Sequence, residues 1–168
     1  MTALCDWLIR EHREIDALLD RAVGGGPDKE LDAAAFESFR AWLLRHIAVE
    51  EKLLFPAARH AGAGPALEDR LRRLRVEHAA ITTLLVPTPD LALVGELRRA
   101  LAPHDAAEEG PGGIYQACAA LIGEAADELL ARARAFPPVK VARHVDGPRA
   151  VRTWAAALAR AEGAPGGA

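Results

Sequence analysis

The sequence contains little cysteine and no long uncharged run. Cys5 and Cys118 are the two cysteines among 168 residues, too few and too far apart for a disulfide framework, which fits a reducing compartment. No uncharged stretch approaches the ~20 residues that a membrane-spanning helix needs. The first residues show no basic segment followed by an apolar core, so no signal peptide is predicted. We therefore expect a cytoplasmic protein.

The chain also lacks a strong excess of either charge. Its net charge of −3 is the difference between 24 acidic and 21 basic residues. Such a balance exerts no general attraction on nucleic acid or on an anionic membrane, and we expect neither as a partner. Apolar residues make up 51% of the chain, enough for a sizeable core, and 168 residues fit one domain or one domain with a short appendage.

Apolar residues recur at helical spacing along most of the chain, and almost no alternating pattern is present. The sequence therefore predicts an all-α fold. The first predicted helix runs from the N-cap Thr2 to about Val23, and the second begins around Asp28 to Asp32, extends beyond Phe55 and kinks at Pro56. The third runs from about Ala66 to Val86, and the fourth from Asp90 through Glu108 with a kink at Pro103. Two further helical stretches run from Ile114 to about Ala135 and from Arg149 to Glu162.

Short linkers between long amphipathic helices favour antiparallel neighbours. We therefore expect an antiparallel up-down-up-down four-helix bundle over residues 1–135, and a C-terminal extension over residues 136–168 with a short helix and a loose tail. The order of motifs also repeats, because one His followed by His-x-x-x-Glu-Glu occurs twice. This order indicates an internal duplication that brings four histidines and two glutamates to the bundle interior.

The repeated motif places an imidazole and a carboxylate on one helical face. His46 and Glu50 are four residues apart, which leaves their side chains ~40° apart around a helix. Singly, such a histidine is more often a hydrogen-bonded core residue, and the alternative for the glutamates is a buried ion pair with histidine. Unpaired carboxylates on apolar faces are otherwise costly, so the repeat favours metal ligation. The candidate metal ligands are His12, His46, Glu50, His78, His104 and Glu108.

Six imidazole and carboxylate ligands exceed what one tetrahedral ion needs, so two metals are the natural solution. His12 and His46 would hold one ion, and His78 and His104 the other, with both glutamates bridging. Mixed nitrogen and oxygen ligands suit Fe, Mn or Zn. A solvent-derived oxo or hydroxo bridge leaves one open position on each octahedral ion, where a small diatomic ligand or peroxide would bind.

Residues near these ligands have less specific expectations. The glutamates adjacent to the ligands are expected to be solvated or to contact the ligands from outside, and Tyr115 is expected to pack rather than to coordinate. Trp42, Leu74 and Ile81 are expected to wall the pocket or to pack in the core, and Cys118 to be a small core residue. His60 and His144 are expected at the surface. The adjacent glutamates are Glu11, Glu51, Glu77 and Glu109.

The motifs over about residues 4 to 130 resemble the hemerythrin-like, HHE cation-binding domain family. The similarity lies in Glu11-His12, in the stretch from His46 to Pro56, in Glu77-His78 and in the stretch from His104 to Glu109. The resemblance implies a four-helix bundle with a non-haem diiron centre, that is, two Fe ions bridged by carboxylates.

The sequence departs from the oxygen-carrying members of that family at two points. Thr82 stands where they have a further ligand histidine, and Glu108 follows His104 by four residues where they have an aspartate at five. The missing histidine would leave one iron less saturated, which favours sensing, peroxide or NO chemistry, or metal handling over reversible O₂ carriage.

Three functions are compatible with the sequence. The first is a diiron protein that binds or senses O₂, NO or peroxide. The second is a diiron enzyme that consumes peroxide or oxidises ferrous iron, and the third is a metal-stabilised module that binds an unidentified protein partner. Open coordination positions favour the first two over a purely structural site, which is usually closed.

Overall fold

The structure is a computed structural model that describes residues 2–24 and 30–164. These residues form helices and connecting segments without any strand, as the sequence predicts. None of the helices in these ranges is both long and apolar enough to cross a lipid bilayer. The helices are α1 (Ala3–Val23), α2 (Ala33–Val49), a π-helical turn (Glu50–Leu54), α3 (Phe55–His60), α4 (Pro65–Leu84), α5 (Leu91–Glu109), α6 (Ile114–Ile122), a 3₁₀ turn (Gly123–Ala125), α7 (Ala126–Arg134) and α8 (Trp154–Glu162).

Side-chain caps fix where several helices begin. Thr2 accepts a hydrogen bond from the Cys5 amide, and Asp90 accepts one from the Leu93 amide, so both predicted starts are confirmed. Asp32 caps α2, and the predicted earlier start at Asp28 lies outside the described residues. Such caps satisfy amide groups that the first helical turn leaves without partners.

The second bundle helix continues past Phe55 because α2, the π-helical turn and α3 follow one another without a break. Within the turn, the Phe55 amide donates to the Glu50 carbonyl, five residues back. Pro56 has no amide hydrogen, so the carbonyl of a preceding residue loses its helical partner. The sequence predicts a kink at Pro56, whereas the irregularity starts earlier, at Glu50. Single π-helical turns are frequent at functional sites.

The fourth bundle helix is interrupted at Gly110–Gly113, where the sequence predicts a break. Before the interruption, α5 packs against α1 and α4, and after it α6 and α7 pack against α1 and the end of the second helix. Residues 114–135 are helical, as the sequence predicts, but the helix is interrupted again at Gly123, whose φ is 58°. Only glycine adopts such a positive φ readily.

The C-terminal segment returns to the opposite end of the bundle. Val145 donates a backbone hydrogen bond to Val86, and α8 packs against α4 and α5, where Ala157 is fully buried. This helix begins at Trp154, later than the predicted start at Arg149, because Thr153 provides the cap. The division into residues 1–135 and 136–168 stays a prediction, and residues 165–168 of the predicted tail lie outside the described ranges.

The core consists of two apolar clusters at opposite ends of the bundle. One contains Leu4 and Leu8 of α1 together with residues of α3, α4, α6 and α7. The other contains Ile15 and Leu19 of α1 together with residues of α2, α4, α5 and α8. A buried polar layer lies between the two clusters, and this layer holds the candidate site.

Candidate metal centre

All six predicted ligands lie in this buried polar layer, at mid-length of the four bundle helices. Residues of the two apolar clusters flank His12 on α1 and His78 on α4, and residues of the second cluster precede His104 on α5, so helical periodicity turns these side chains inward. None is more than 5% exposed. The six are His12 on α1, His46 on α2, Glu50 at the start of the π-helical turn, His78 on α4, and His104 and Glu108 on α5.

The first group of ligand atoms comprises His12, His46, Glu50 and Glu108. The Nε2 atoms of His12 and His46 are 2.8 Å apart. Glu108 Oε2 lies 3.4 Å from the Nε2 of His12, and Glu50 Oε1 lies 3.4 Å from the Nε2 of His46. The four atoms are all within 4.8 Å of one another, close enough to surround a single cation.

The second group comprises His78, His104 and Glu108. Glu108 Oε1 lies 3.4 Å from the Nε2 of His104 and 3.8 Å from the Nε2 of His78. Glu50 also reaches this group, because its Oε2 is 3.2 Å from the Nε2 of His78. Each glutamate therefore turns one oxygen toward each group.

The buried nitrogen and oxygen atoms of this layer are suited to coordinate a cation. Glu50 Oε2, His78 Nε2 and Glu108 Oε1 are buried and have no hydrogen-bond partner. Buried polar atoms nearly always have a partner, and these three converge on one space with the lone pairs that a metal needs. The residues present are thus those of a mixed nitrogen and oxygen metal site.

Carboxylates outside the layer fix the orientation of three of the four imidazole rings. The Nδ1 atom of His12 lies 2.6 Å from Glu109, and that of His78 lies 3.0 Å from Glu51. Glu77 pairs in the same way with His104, at 2.8 Å. These contacts direct each Nε2 atom inward and are typical of metal-ligating histidines. Three of the four adjacent glutamates thus contact the candidate ligands from outside, whereas Glu11 accepts hydrogen bonds from Trp42 and Arg45 instead.

Tyr115 also belongs to the centre, although the sequence favours a packing role for it. Its hydroxyl donates to Glu50 Oε1 at 2.6 Å and lies 2.9 Å from the Nε2 of His12 and 3.2 Å from that of His46. The hydroxyl also lies 3.2 Å from Glu108, seven residues back in the chain. That spacing of two helical turns was the available signal, but the glycine-rich break hid the register.

Burial and mutual charge shift the pKa values of the centre. Burial, followed by the charge of Glu50, raises the pKa of Glu108 well above its usual range. Burial also acts to raise the pKa of Glu50, but the nearby imidazoles of His46 and His78 outweigh it and lower this pKa. For His78, burial acts to lower the pKa, and the nearby carboxylates of Glu50 and Glu51 raise it to about 9. Metal binding must therefore displace protons from the centre.

Other candidate residues differ in how well the sequence predicts them. Leu74 and Ile81 are buried core residues, whereas Trp42 is 40% exposed and does not line the candidate metal centre. Cys118 is buried as predicted, and burial raises the pKa of its thiol to about 12. His60 is exposed. His144 is only partly exposed, because it contacts Glu37 and the Val86 carbonyl.

A cavity of about 760 Å³ opens to solvent beside the second group. Its wall includes His78 and Glu51, together with Thr82 and residues near the end of α8. The Thr82 hydroxyl donates to the Ala79 carbonyl of its own helix and takes no part in the centre. The cavity gives small molecules a route to the edge of the buried layer.

Comparison with known proteins gives one match. The family model for the hemerythrin HHE cation binding domain matches residues 4–110, which include all six candidate ligands but not Tyr115. No curated protein and no solved structure matches the chain. The matched region covers more than half of the sequence, and it is the region that forms the four helices around the buried His and Glu groups. The chain therefore belongs to the hemerythrin HHE cation-binding domain family.

Proposed function

We propose that the protein holds two iron ions in the buried layer, and that the iron pair binds or senses O₂, NO or peroxide. The observation that carries the proposal is the orientation of the two glutamates. Glu50 directs one oxygen toward His46 and the other toward His78, and Glu108 likewise faces both groups. Carboxylates in this arrangement can bridge two cations.

The donor set supports iron, although Mn and Zn accept the same ligands. Nitrogen and oxygen donors surround both positions, and the protonated Cys118 thiol is unsuited to coordination. Two imidazoles and two shared carboxylates would supply four ligands to each ion. An oxo or hydroxo bridge from solvent would add a fifth, so that an octahedral ion keeps one position for a small ligand. A bound iron pair supplies one-electron chemistry that the protein side chains lack.

The side chains around the centre have distinct roles in this proposal. Glu51, Glu77 and Glu109 orient the imidazoles, and the two apolar clusters exclude bulk water from both ends of the layer. The Tyr115 hydroxyl supplies a hydrogen-bond donor inside the centre. The cavity beside His78 admits small molecules from solvent.

The absence of a further imidazole at Thr82 favours sensing or reaction over reversible O₂ carriage. The Thr82 side chain bonds to its own helix, so the second group draws its imidazoles from His78 and His104 alone. An iron with fewer nitrogen ligands has more room for exchangeable ones. Sensing and turnover differ in whether the small ligand is consumed.

The test is the metal content per chain after anaerobic loading with ferrous iron, with the optical spectrum recorded before and after exposure to air. We expect two irons per chain and new near-ultraviolet bands on oxidation. Glu108→Ala should lose at least one iron, because Glu108 belongs to both groups. The matched control is His60→Ala, which removes an exposed histidine and should keep both irons.

Two results would contradict the proposal. One is a Glu108→Ala protein that retains two irons and the same spectrum as the unmodified chain. The other is a single tightly held zinc with a silent spectrum, which would favour a structural module.

A further inference from the structure

The two halves of the metal centre differ in the carboxylate contact of one imidazole. In each repeat, a glutamate comes directly before the first histidine. In the second repeat this residue is Glu77, which lies 2.8 Å from the Nδ1 of His104. In the first repeat the equivalent pair is Glu11 and His46. Yet the Nδ1 of His46 has no hydrogen-bond partner, although the side chain is only 2% exposed.

Glu11 is instead held by two donors from α2. Its Oε2 accepts a hydrogen bond from the Trp42 indole at 3.2 Å and from Arg45 at 3.1 Å. The Arg45 guanidinium is itself anchored, because it also donates to the Ala133 and Phe136 carbonyls at the end of α7. These backbone carbonyls hold the guanidinium in place, and with it the Glu11 carboxylate.

The second repeat has no such donors. When the repeats are aligned on their His-x-x-x-Glu motifs, Trp42 corresponds to Ala100 and Arg45 to Pro103. Alanine and proline carry no side-chain donor. The carboxylate of Glu77 is therefore free of this competition and pairs with its histidine. The difference between the halves follows from two residues of α2.

We propose that the hydrogen bonds from Trp42 and Arg45 keep the Glu11 carboxylate away from the Nδ1 of His46. The first group consequently binds its ion more weakly than the second group. A carboxylate on the outer ring nitrogen orients a ligating imidazole and raises its basicity, and loss of this contact typically costs 10–100-fold in metal affinity. The inference rests on the proposed two-metal function. It predicts that the two positions fill in sequence.

Tyr115 acts in the same direction. Its hydroxyl donates to Glu50 Oε1 and lies 2.9 Å from the Nε2 of His12, so it engages two ligand atoms of the first group. A metal in the first group must compete with these hydrogen bonds. Neither imidazole of the second group has a hydrogen bond to Tyr115.

The experiment is a Co²⁺ titration against a competing chelator, which yields two stepwise dissociation constants for the full chain. Glu11→Gln and Glu77→Gln are matched variants, since each removes one carboxylate charge at the same repeat position. We expect Glu77→Gln to weaken the tighter step about tenfold or more. Glu11→Gln should leave both steps unchanged, because Glu11 supports no imidazole.

A second variant tests the release of Glu11. In Trp42→Phe/Arg45→Met, no side-chain donor competes for the Glu11 carboxylate, and the dissociation constant of the weaker step should fall about tenfold. Adding Glu11→Gln to this variant should abolish the gain. NMR of the Zn²⁺-loaded protein gives an independent readout, since we expect three carboxylate-bonded imidazole N–H signals in the unmodified chain and four in the double variant.

The outcomes separate this inference from the proposed function. If the unmodified chain binds fewer than two ions, both are overturned. If it binds two ions, and Glu11→Gln weakens binding as much as Glu77→Gln, only the asymmetry is overturned. Should the double variant fail to fold, the comparison of the two single variants still decides.

Discussion

At the scale of single residues, an acidic side chain beside the centre opposes folding. Asp105 follows the candidate ligand His104 and lies, partly buried, in a small cavity with Asp16. Burial is the main cause that raises the Asp105 pKa to about 6, and the nearby charges of Asp16 and Glu109 add to it. Burial likewise raises the pKa of Asp16. Ionising this pair in the metal-free protein therefore reduces stability.

We expect Asp105→Asn to stabilise the metal-free protein at pH 7 by roughly 1–2 kcal/mol. Because the folded-state pKa of about 6 exceeds the ordinary value of 3.8, the ionisation cost is present in full above pH 6. The cost shrinks as the pH falls and vanishes below pH 3.8. Urea unfolding at pH 7 and at pH 4 would measure this difference.

The control for this variant is Asp127→Asn, at an exposed position of α7, which should change stability by less than about 0.5 kcal/mol. An Asp105→Asn protein that gains as much stability at pH 4 as at pH 7 would contradict the proposed role of ionisation.

At the scale of elements, the turn between α5 and α6 sets the position of Tyr115 relative to Glu108. The Gly113 amide donates to the Gly110 carbonyl at 2.7 Å, which closes the turn. A Cβ at Gly113 would overlap the backbone carbonyl oxygens of Glu108 and Gly110. These are rigid backbone atoms, so the turn has room only for glycine at this position.

Gly113→Ala should therefore displace the start of α6 and destabilise the protein by about 2 kcal/mol or more. It should also perturb the iron spectrum, because Tyr115 lies two residues further along. The control is Gly95→Ala within α5, where a Cβ meets nothing within 4 Å. That change should stabilise by about 0.5–1 kcal/mol, since alanine favours the helix. Thermal unfolding of the two variants is the measurement, and similar melting temperatures would refute this account.

At the scale of the whole molecule, the C-terminal helix completes one end of the bundle. Ala157 of α8 is fully buried in the same apolar cluster as Phe36, Phe39 and Leu97. The start of this helix is anchored as well, because the Trp154 amide donates to Glu96 of α5 at 2.8 Å. The second apolar cluster thus depends on residues far beyond the matched family region.

Ala157→Leu should overpack this contact and destabilise the protein by about 1–3 kcal/mol. Its control is Ala159→Leu, at an exposed position of the same helix, which should stay within about 0.5 kcal/mol. Both variants should keep the metal content of the unmodified chain, because α8 packs beyond the polar layer. Chemical unfolding together with iron content checks both expectations, and loss of iron from Ala157→Leu alone would show that the two regions are coupled.

The sequence by itself determined the helices and the inward direction of six side chains. Helical periodicity is local, so the spacing of His46 and Glu50, and the apolar stripes around His12 and His78, could be interpreted without any tertiary contact. The same spacing predicted their assembly in one layer. Their role as ligands, and the identity of the metal, stay predictions.

Tertiary structure decided the features that depend on how separate helices meet. The register of Tyr115 is set across a glycine-rich turn, where helical spacing no longer applies. The hydrogen bond from Arg45 to Glu11 depends on the packing of the end of α7 beside α2, because Arg45 also donates to a carbonyl there. This contact joins residues that are distant in sequence. The division of the carboxylate oxygens of Glu50 and Glu108 between two groups likewise follows from the packing of four helices. Packing geometry between helices, rather than periodicity within them, made the two halves of the centre unequal.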